Sequence, residues 1–514
     1  MNVCDNSRRE FLKAVGLGSA ALLMAPALMG QIKRRKRPNI LFIMADDHAC
    51  NAIGSYGSRL ARYTRTSNID RIATEGIRLD NCHCTNSICV PSRATIMTGQ
   101  YSHVTGVYSL WHRLDPQRQT VAKLLQKAGY QTAFFGKWNL RSEPSGFDDW
   151  RVLPGQGRYH DPEFQEKGKK ASQQYKGFST DIITDFSLEW LRRRDADRPF
   201  FLMTQFKNCH EPWHFADRHE DLYKDVEIPE PASLWEDKTH RSDGSREYGF
   251  TITTMASRMQ RKNHPTGQLD TSGMTPEQKK KAAYQKLLKD YLRCVAAIDE
   301  NVGRLLAYLD DEGLAQNTVV IYTSDQGYFL GEHDYIDKRW MFEESLRMPF
   351  LVRYPREIRP GKVNDDIIIN ADFAPTFLDY AGQPTSPDMQ GRSFRANLRG
   401  QTPPDWRQSM YYHYWQQCTR PAHYGVRTKR HKLIFFHGVN IEGKGQPNHE
   451  STKPGWELYD LLKDPHELKN VYTDPAYAAV VKELKAELTR LKKELGDTDE
   501  KYPELMAVRA KHWD

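Results

Sequence analysis

Four short, largely apolar runs constrain the fold of this chain more than anything else. Asn39–Met44 (NILFIM), Gln131–Phe135 (QTAFF), Phe200–Gln205 (FFLMTQ) and Val319–Thr323 (VVIYT) carry no period-two alternation. A strand with one wet face alternates apolar and polar residues, so runs like these read as strands covered on both faces. Between them lie amphipathic helical stretches, at Asn68–Gly76, Gln119–Ala128 and Pro276 to about Asp311. Strands alternating with helices predict an α/β fold around a large mixed, mostly parallel sheet.

Near residue 400 the pattern changes. After Pro403-Pro404, the segments Ser409–Tyr414, Gly425–Thr428 and Lys432–Phe436 read as antiparallel strands, followed by a helix over Ala478–Leu495 with Val480, Leu484, Leu488 and Leu491 at helical spacing. A catalytic domain over 38–400 and a smaller α+β subdomain over 401–514 are therefore expected. Residues 213–275 are polar and irregular and read as an insertion over the sheet edge, a candidate substrate-binding loop.

The 514 residues carry a formal charge of +8. The run Lys33-Arg34-Arg35-Lys36-Arg37 supplies most of it, so the body is only weakly basic and a nucleic-acid partner is not expected. That run, 31–37, is read as a solvated linker. Before it, Ser7-Arg8-Arg9-Glu10-Phe11-Leu12-Lys13 precedes an apolar stretch from Ala14 to Met29. The stretch is short for a bilayer span and is interrupted by Gly16, Gly18 and Pro26. Residues 1–30 resemble a twin-arginine export signal, which implies the matching export machinery as a partner and a periplasmic or secreted protein. The eight cysteines do not form a disulfide framework for a chain of this length, and most read as small buried hydrophobes.

Chemistry concentrates in a few segments. Cys89-Val90-Pro91-Ser92-Arg93 continues to Thr98-Gly99. Pro91 suits the first turn of a helix, which places Cys89 at a helix N-terminus where an anion is favoured. Asp46-Asp47 follows the first apolar run and Asp325-Gln326 follows the fourth. Ligands in α/β folds gather beyond the carboxyl ends of strands, so the two pairs can meet there. Alone, each pair is an ordinary turn or cap; together, three carboxylates and an amide oxygen make a hard-oxygen set suited to Ca²⁺.

The C-x-P-S-R segment with its trailing T-G resembles the type I sulfatase family, in which the cysteine is oxidised to formylglycine. The resemblance runs from Pro38 to about Tyr472. It implies an alkaline-phosphatase-like fold, a sulfuric ester hydrolase, one Ca²⁺ per chain and a formylglycine-generating enzyme as maturation partner. Cys89 becomes the nucleophile precursor and Arg93 its stabiliser, with Asp46, Asp47, Asp325, Gln326 and modified Cys89 around the metal. Lys137, in Phe135-Gly136-Lys137-Trp138, and Lys338, after Gly331-Glu332-His333, match the family's two sulfate-binding lysines. His210 matches the histidine that protonates the leaving alcohol. The family's G-K-W-H histidine is Asn139 here, which can hydrogen-bond but cannot act as a base. His214, His333, Asp372 and His423 are candidate substrate contacts, with helix-cap and turn roles as alternatives for Asp372 and His423. Segments Gly146–Trp150, Leu153–Gly157, His423–Thr428 and Trp456–Leu461 are most similar to N-acetylglucosamine-6-sulfatase-like members. That implies a sulfated glycan as substrate, best matched by a 6-O-sulfate of N-acetylglucosamine in mucin or glycosaminoglycan. Other sulfated polysaccharides, phosphate or phosphonate esters, and a glycan-binding inactive homologue are the alternatives.

Overall fold

In the computed structural model, residues 37–445 and 449–514 are described. The export signal and all but the last residue of the basic linker lie outside them.

The central strands are β1 (Asn39–Ala45), β2 (Ile77–Leu79), β3 (Gln131–Gly136), β4 (Asp149–Val152), β5 (Glu163–Glu166), β6 (Gln173–Gln174), β7 (Phe200–Gln205), β8 (Thr318–Ser324), β9 (Phe350–Arg353) and β10 (Lys362–Asn364). They form one sheet in the order β10-β2-β9-β8-β1-β7-β3-β4-β5-β6. The five at its heart, β8-β1-β7-β3-β4, are mutually parallel, and antiparallel pairs occur toward both edges. The expected mixed, mostly parallel sheet is what the chain builds.

The apolar runs have the cause inferred from them. In β1, Ile40, Phe42 and Met44 join one core cluster and Leu41, Ile43 and Ala45 another, on opposite faces of the sheet. One face is covered by helices α1 (Cys89–Thr98), α2 (Val121–Lys127) and α5 (Phe373–Tyr380), the other by α3 (Ser179–Arg193) and α4 (Pro276–Asp311). Helix α4 starts where its sequence dictates: Pro276 occupies the first turn, and Thr275 and Gln278 form a reciprocal capping box.

A separate antiparallel sheet follows, with β11 (Ser409–Tyr414), β12 (His423–Thr428), β13 (His431–Phe436) and β14 (Gly455–Asp460) in sequential order. Helix α6 (Ala478–Leu495) buries Leu484, Leu488 and Leu491. Strand β14 and a last helix over Pro503–His512 have no counterpart in the sequence reading. The segment 213–275 holds short turns and one helix, Ile252–Met259, and is tied down. Ser242 and Ser245 donate to the buried Glu457 of β14, and Glu236 pairs with Arg241 and His333. Residues 38–514 pack as one unit. No helix among the described residues is long and apolar enough to cross a membrane.

Candidate active site

The site assembles at the carboxyl ends of β1 and β8. Ala45 pairs with Ser324 in register, so the next residues of the two strands, Asp46 and Asp325, emerge side by side. Asp47 takes a left-handed conformation (φ 64°), and its backbone N–H donates to Asp325 Oδ1 at 3.2 Å. Short polar residues tolerate that backbone region better than branched ones. Helix α1 brings Cys89 to the same place from below. One ligand atom each from Asp46, Cys89 and Asp325 lies within 4.8 Å of the others, all three buried.

Three cations balance three carboxylates. Arg93, on the first turns of α1, donates Nε to Asp325 Oδ2 at 2.9 Å and holds Nη2 3.6 Å from Asp46 Oδ1. Its Nη1 donates to the Lys137 carbonyl and to Gln205 Oε1, both at 2.6 Å. Lys137, just past the end of β3, pairs with Asp46 Oδ2. Lys338 spans both oxygens of Asp47 at 2.6 and 2.7 Å. Arginine and lysine so deeply buried require such partners.

The electrostatics follow from burial and neighbours. Burial pushes the Cys89 thiol up to about 12, and Lys338 and Lys137 only partly offset this. An unmodified Cys89 is thus a poor thiolate nucleophile. Burial also pushes the Asp47 carboxyl up, to about 7, against the pull of Lys338. Asp46 is equally desolvated, but Lys137, His210 and Arg93 hold it well below the usual range. Burial and then Lys137 hold the His210 imidazole well below its usual value. His210 Nδ1 donates to the Glu211 carbonyl at 2.8 Å, which leaves Nε2 facing Asp47 Oδ2 at 3.9 Å.

Two oxygens in this cluster are buried without a hydrogen-bond partner, Asp46 Oδ1 and Gln326 Oε1. The Gln326 amide nitrogen is engaged with Asp47 Oδ1, so its oxygen is turned the other way. Orphaned acceptors of this kind are rare in folded proteins. Carboxylate and amide oxygens packed together are the donor set of a hard divalent cation, and the residues fit one.

Asn139, two residues beyond Lys137 in the chain, has φ 57° and a buried, unpartnered Nδ2. The His214 ring lies 4.1 Å from that of His160, beside Tyr159, whose hydroxyl donates to the His210 carbonyl. The other three candidates have structural surroundings instead. His333 is fully buried, with Nδ1 2.6 Å from Glu236 Oε2. Asp372 is fully buried at the start of α5, accepts from the Ile369 and Arg392 N–H groups at 2.9 and 2.8 Å, and is clamped by Arg407. His423 is fully buried among Trp340, Tyr412 and Phe436, with Nδ1 donating to the Pro421 carbonyl at 2.7 Å. Asp372 precedes α5 but its side chain makes no cap hydrogen bond to that helix.

Two residues of the cluster escaped the sequence reading. Gln205 ends β7 as Asp46 follows β1, and a polar residue closing an apolar run was the signal. Lys207, two residues on, is buried with Nζ 4.8 Å from the centre of the Tyr159 ring. Burial, then the charge of Lys137, lowers it to about 8. Nothing local in the sequence distinguishes it from a surface lysine.

A doubly covered parallel sheet carrying a buried carboxylate–cation cluster and a helix-terminal cysteine defines a hydrolase of the alkaline phosphatase superfamily. The sulfatase family model matches residues 38–383, and an N-sulphoglucosamine sulphohydrolase C-terminal model matches 331–494. The chain belongs to the sulfatase family and is a sulfuric ester hydrolase. It is 41% identical over 523 residues to an N-acetylglucosamine-6-O-sulfatase of Bacteroides thetaiotaomicron, covering 93% of this chain and 90% of the relative. An arylsulfatase of Clostridium perfringens is 27% identical, covering 91% and 96% of the two chains. A solved structure of a protein in complex with its substrate D-glucosamine-2-N,6-O-disulfate superposes with a TM-score of 0.81 at 40% identity, covering 90% of this chain and 99% of that one. A phosphonate monoester hydrolase from Silicibacter pomeroyi, at 21% identity and a TM-score of 0.68, shares the fold.

Proposed function

We propose that this sulfatase removes a 6-O-sulfate from a glucosamine unit of a sulfated glycan, with formylglycine at position 89 and Ca²⁺ held by Asp46, Asp47, Asp325 and Gln326. The observation that carries the reading is the convergence of Cys89 with Asp46 and Asp325 inside one buried, cation-balanced cluster. The substrate class rests on the 41% identical relative and on the substrate bound in the neighbour of TM-score 0.81.

In this reading the formylglycine supplies a hydrated aldehyde oxygen for attack at sulfur and, with the cation, charge stabilisation at the sulfuryl group. The residues of the chain do the rest. Arg93 fixes Asp325 while bracing the Lys137 loop and Gln205, so the acidic and basic halves keep their spacing. Lys137 and Lys338 oppose the negative charge that grows on the sulfuryl oxygens, already placed and desolvated before reaction. His210, with Nδ1 committed to a carbonyl, offers Nε2 to the leaving alcohol. An arriving sulfate anion raises its proton affinity and offsets its burial. Asn139 orients the attacking group through Nδ2 without acting as a base.

Residues 401–514 are proposed to form a subdomain on the 38–400 catalytic domain. Residues 1–30 are proposed to direct export through the twin-arginine machinery to the periplasm or exterior. A formylglycine-generating enzyme is the proposed maturation partner.

The test is sulfate release from 6-sulfated N-acetylglucosamine and glucosamine by fully modified enzyme. The peptide containing Cys89 is weighed by mass spectrometry in the same samples. Turnover of an aryl phosphate in preference to the matched aryl sulfate would overturn the reading.

A further inference from the structure

A fourth cation, Lys207, stands beside the three that balance the active-site carboxylates. Asp325 is engaged by Arg93, Asp46 by Lys137 and Asp47 by Lys338. Lys207 has no ion pair and no side-chain hydrogen bond among the described residues.

Backbone contacts fix its place in the cluster. The Lys137 N–H donates to the Gln205 carbonyl at 2.9 Å, and the Asp46 N–H donates to the Asn208 carbonyl at 2.8 Å. Lys207 lies between those two acceptors in the chain. The His210 N–H returns to the Lys207 carbonyl at 3.1 Å, so one turn presents both side chains. Lys207 is 3% exposed, with Nζ 4.8 Å from the centre of the Tyr159 ring. Unlike the orphaned Asp46 Oδ1 and Gln326 Oε1, that nitrogen is not sealed from solvent. A buried ammonium is costly unless paired, and a ring face is a weaker partner than an oxyanion.

The same ring borders a second unpartnered donor. The His214 ring lies 6.5 Å from that of Tyr159 and 4.1 Å from that of His160. His160 Nε2 is bonded to the Phe215 carbonyl at 3.0 Å, whereas the half-buried His214 has no hydrogen bond or ion pair among the described residues. One of its ring nitrogens carries a hydrogen in either tautomer. The carboxylates whose charge reaches these groups, Asp46 and Asp47 for Lys207 and Asp217 and Asp290 for His214, form no ion pair with them. The Tyr159 hydroxyl donates to the His210 carbonyl, so both donors flank the residue that faces the leaving alcohol.

We propose that Lys207 and His214, set against Tyr159, bind a second oxyanion of the saccharide, distinct from the sulfate that is cleaved: an N-sulfate on the same ring or the carboxylate of a neighbouring uronate. The inference rests on the reading of the site as a glycan sulfatase and names the charge pattern that it selects.

The experiment is calorimetric titration of the full chain carrying Cys89→Ala with three ligands. They are N-acetylglucosamine 6-sulfate, glucosamine 2-N,6-O-disulfate, and a disaccharide of a uronate with N-acetylglucosamine 6-sulfate. At least one of the doubly charged ligands is expected to bind about tenfold more tightly than the first, the worth of one charge-assisted contact. Lys207→Met should remove that advantage and Lys207→Arg should keep part of it. Loss of the disulfate's advantage places the second oxyanion on the same ring, and loss of the disaccharide's places it on the neighbour. His214→Ala should narrow the same ratio and decides the question if Lys207→Met does not fold. Doubly charged ligands no tighter than the first, or a ratio untouched by the folded variants, overturn the proposal. Equal weakening of all three ligands also overturns it, because it marks a role toward the cleaved sulfate or the fold. Turnover of N-acetylglucosamine 6-sulfate by modified enzyme, with the ratio unmoved, sinks this inference alone. A ratio abolished by Lys207→Met, with none of the sugars turned over, sinks the catalytic reading alone.

Discussion

Arg93 donates a 2.6 Å hydrogen bond to the backbone carbonyl of Lys137 while its Nε grips Asp325. One side chain thus ties the helix that presents Cys89 to the loop that presents Lys137 and to the acidic loop after β8. Lysine cannot make this three-way contact, because it lacks the planar fork. Arg93→Lys is expected to lower kcat/KM by about 10²–10³-fold. It should also destabilise the fold by about 3 kcal/mol, because Asp325 loses a buried partner. Steady-state kinetics and urea unfolding check the two effects separately.

Removal of the divalent cation leaves the three buried carboxylates Asp46, Asp47 and Asp325 facing only Arg93, Lys137 and Lys338. Treatment with a chelator should abolish turnover and lower Tm, and Ca²⁺ should restore both. Mg²⁺ should restore less, since its demand for octahedral geometry at short distances suits a mixed carboxylate–amide cage poorly. Asp325→Asn should abolish restoration.

Asn139 sits at φ 57°, a region that histidine also tolerates among non-glycine residues. Asn139→His should therefore fold and supply a base near the nucleophile. If proton removal limits turnover, kcat rises by about tenfold, while Asn139→Ala lowers it. Single-turnover measurements that show kcat unmoved by either change would place the slow step elsewhere.

His423 illustrates a pH effect on the fold itself. Burial among aromatic rings lowers it to about 3, whereas the unfolded chain binds that proton near pH 6.5. The folded state therefore favours neutral imidazole. The stability it confers is present above about pH 6.5 and is lost as pH falls toward the folded value. In that window one such proton costs about 1.4 kcal/mol per pH unit. Denaturant unfolding from pH 6.5 to 4 should show a slope shallower by about that amount in His423→Phe than in the parent.

The acidic pairs were legible because strand ends are predictable. Apolar runs mark β1 and β8, and polar residues just past their carboxyl ends have few places to go but the crevice between them. Cys89 likewise sits at a helix start that Pro91 marks, whereas Arg93, Lys137, His210 and Lys338 were reached only through the resemblance to the sulfatase family. The surroundings of His333, Asp372 and His423 were not legible, for the opposite reason. Their partners Glu236, Arg407 and Trp340 lie 97, 35 and 83 positions away, and no local pattern announces them. Strand β14 was hidden by Glu457, a charge in mid-strand that is tolerated because Ser242 and Ser245 reach it from the insertion. Lys207 is a buried lysine whose environment is made wholly by tertiary neighbours.

All ten residues of α1 are buried, from Cys89 to Thr98. An outside enzyme that must grasp Cys89–Arg93 as an open string has no purchase on the finished molecule. Any conversion of that cysteine has to run ahead of the closing of the sheet around it. Supplying the converting enzyme after purification should leave the thiol untouched, so the competence of each molecule is decided once, during its synthesis.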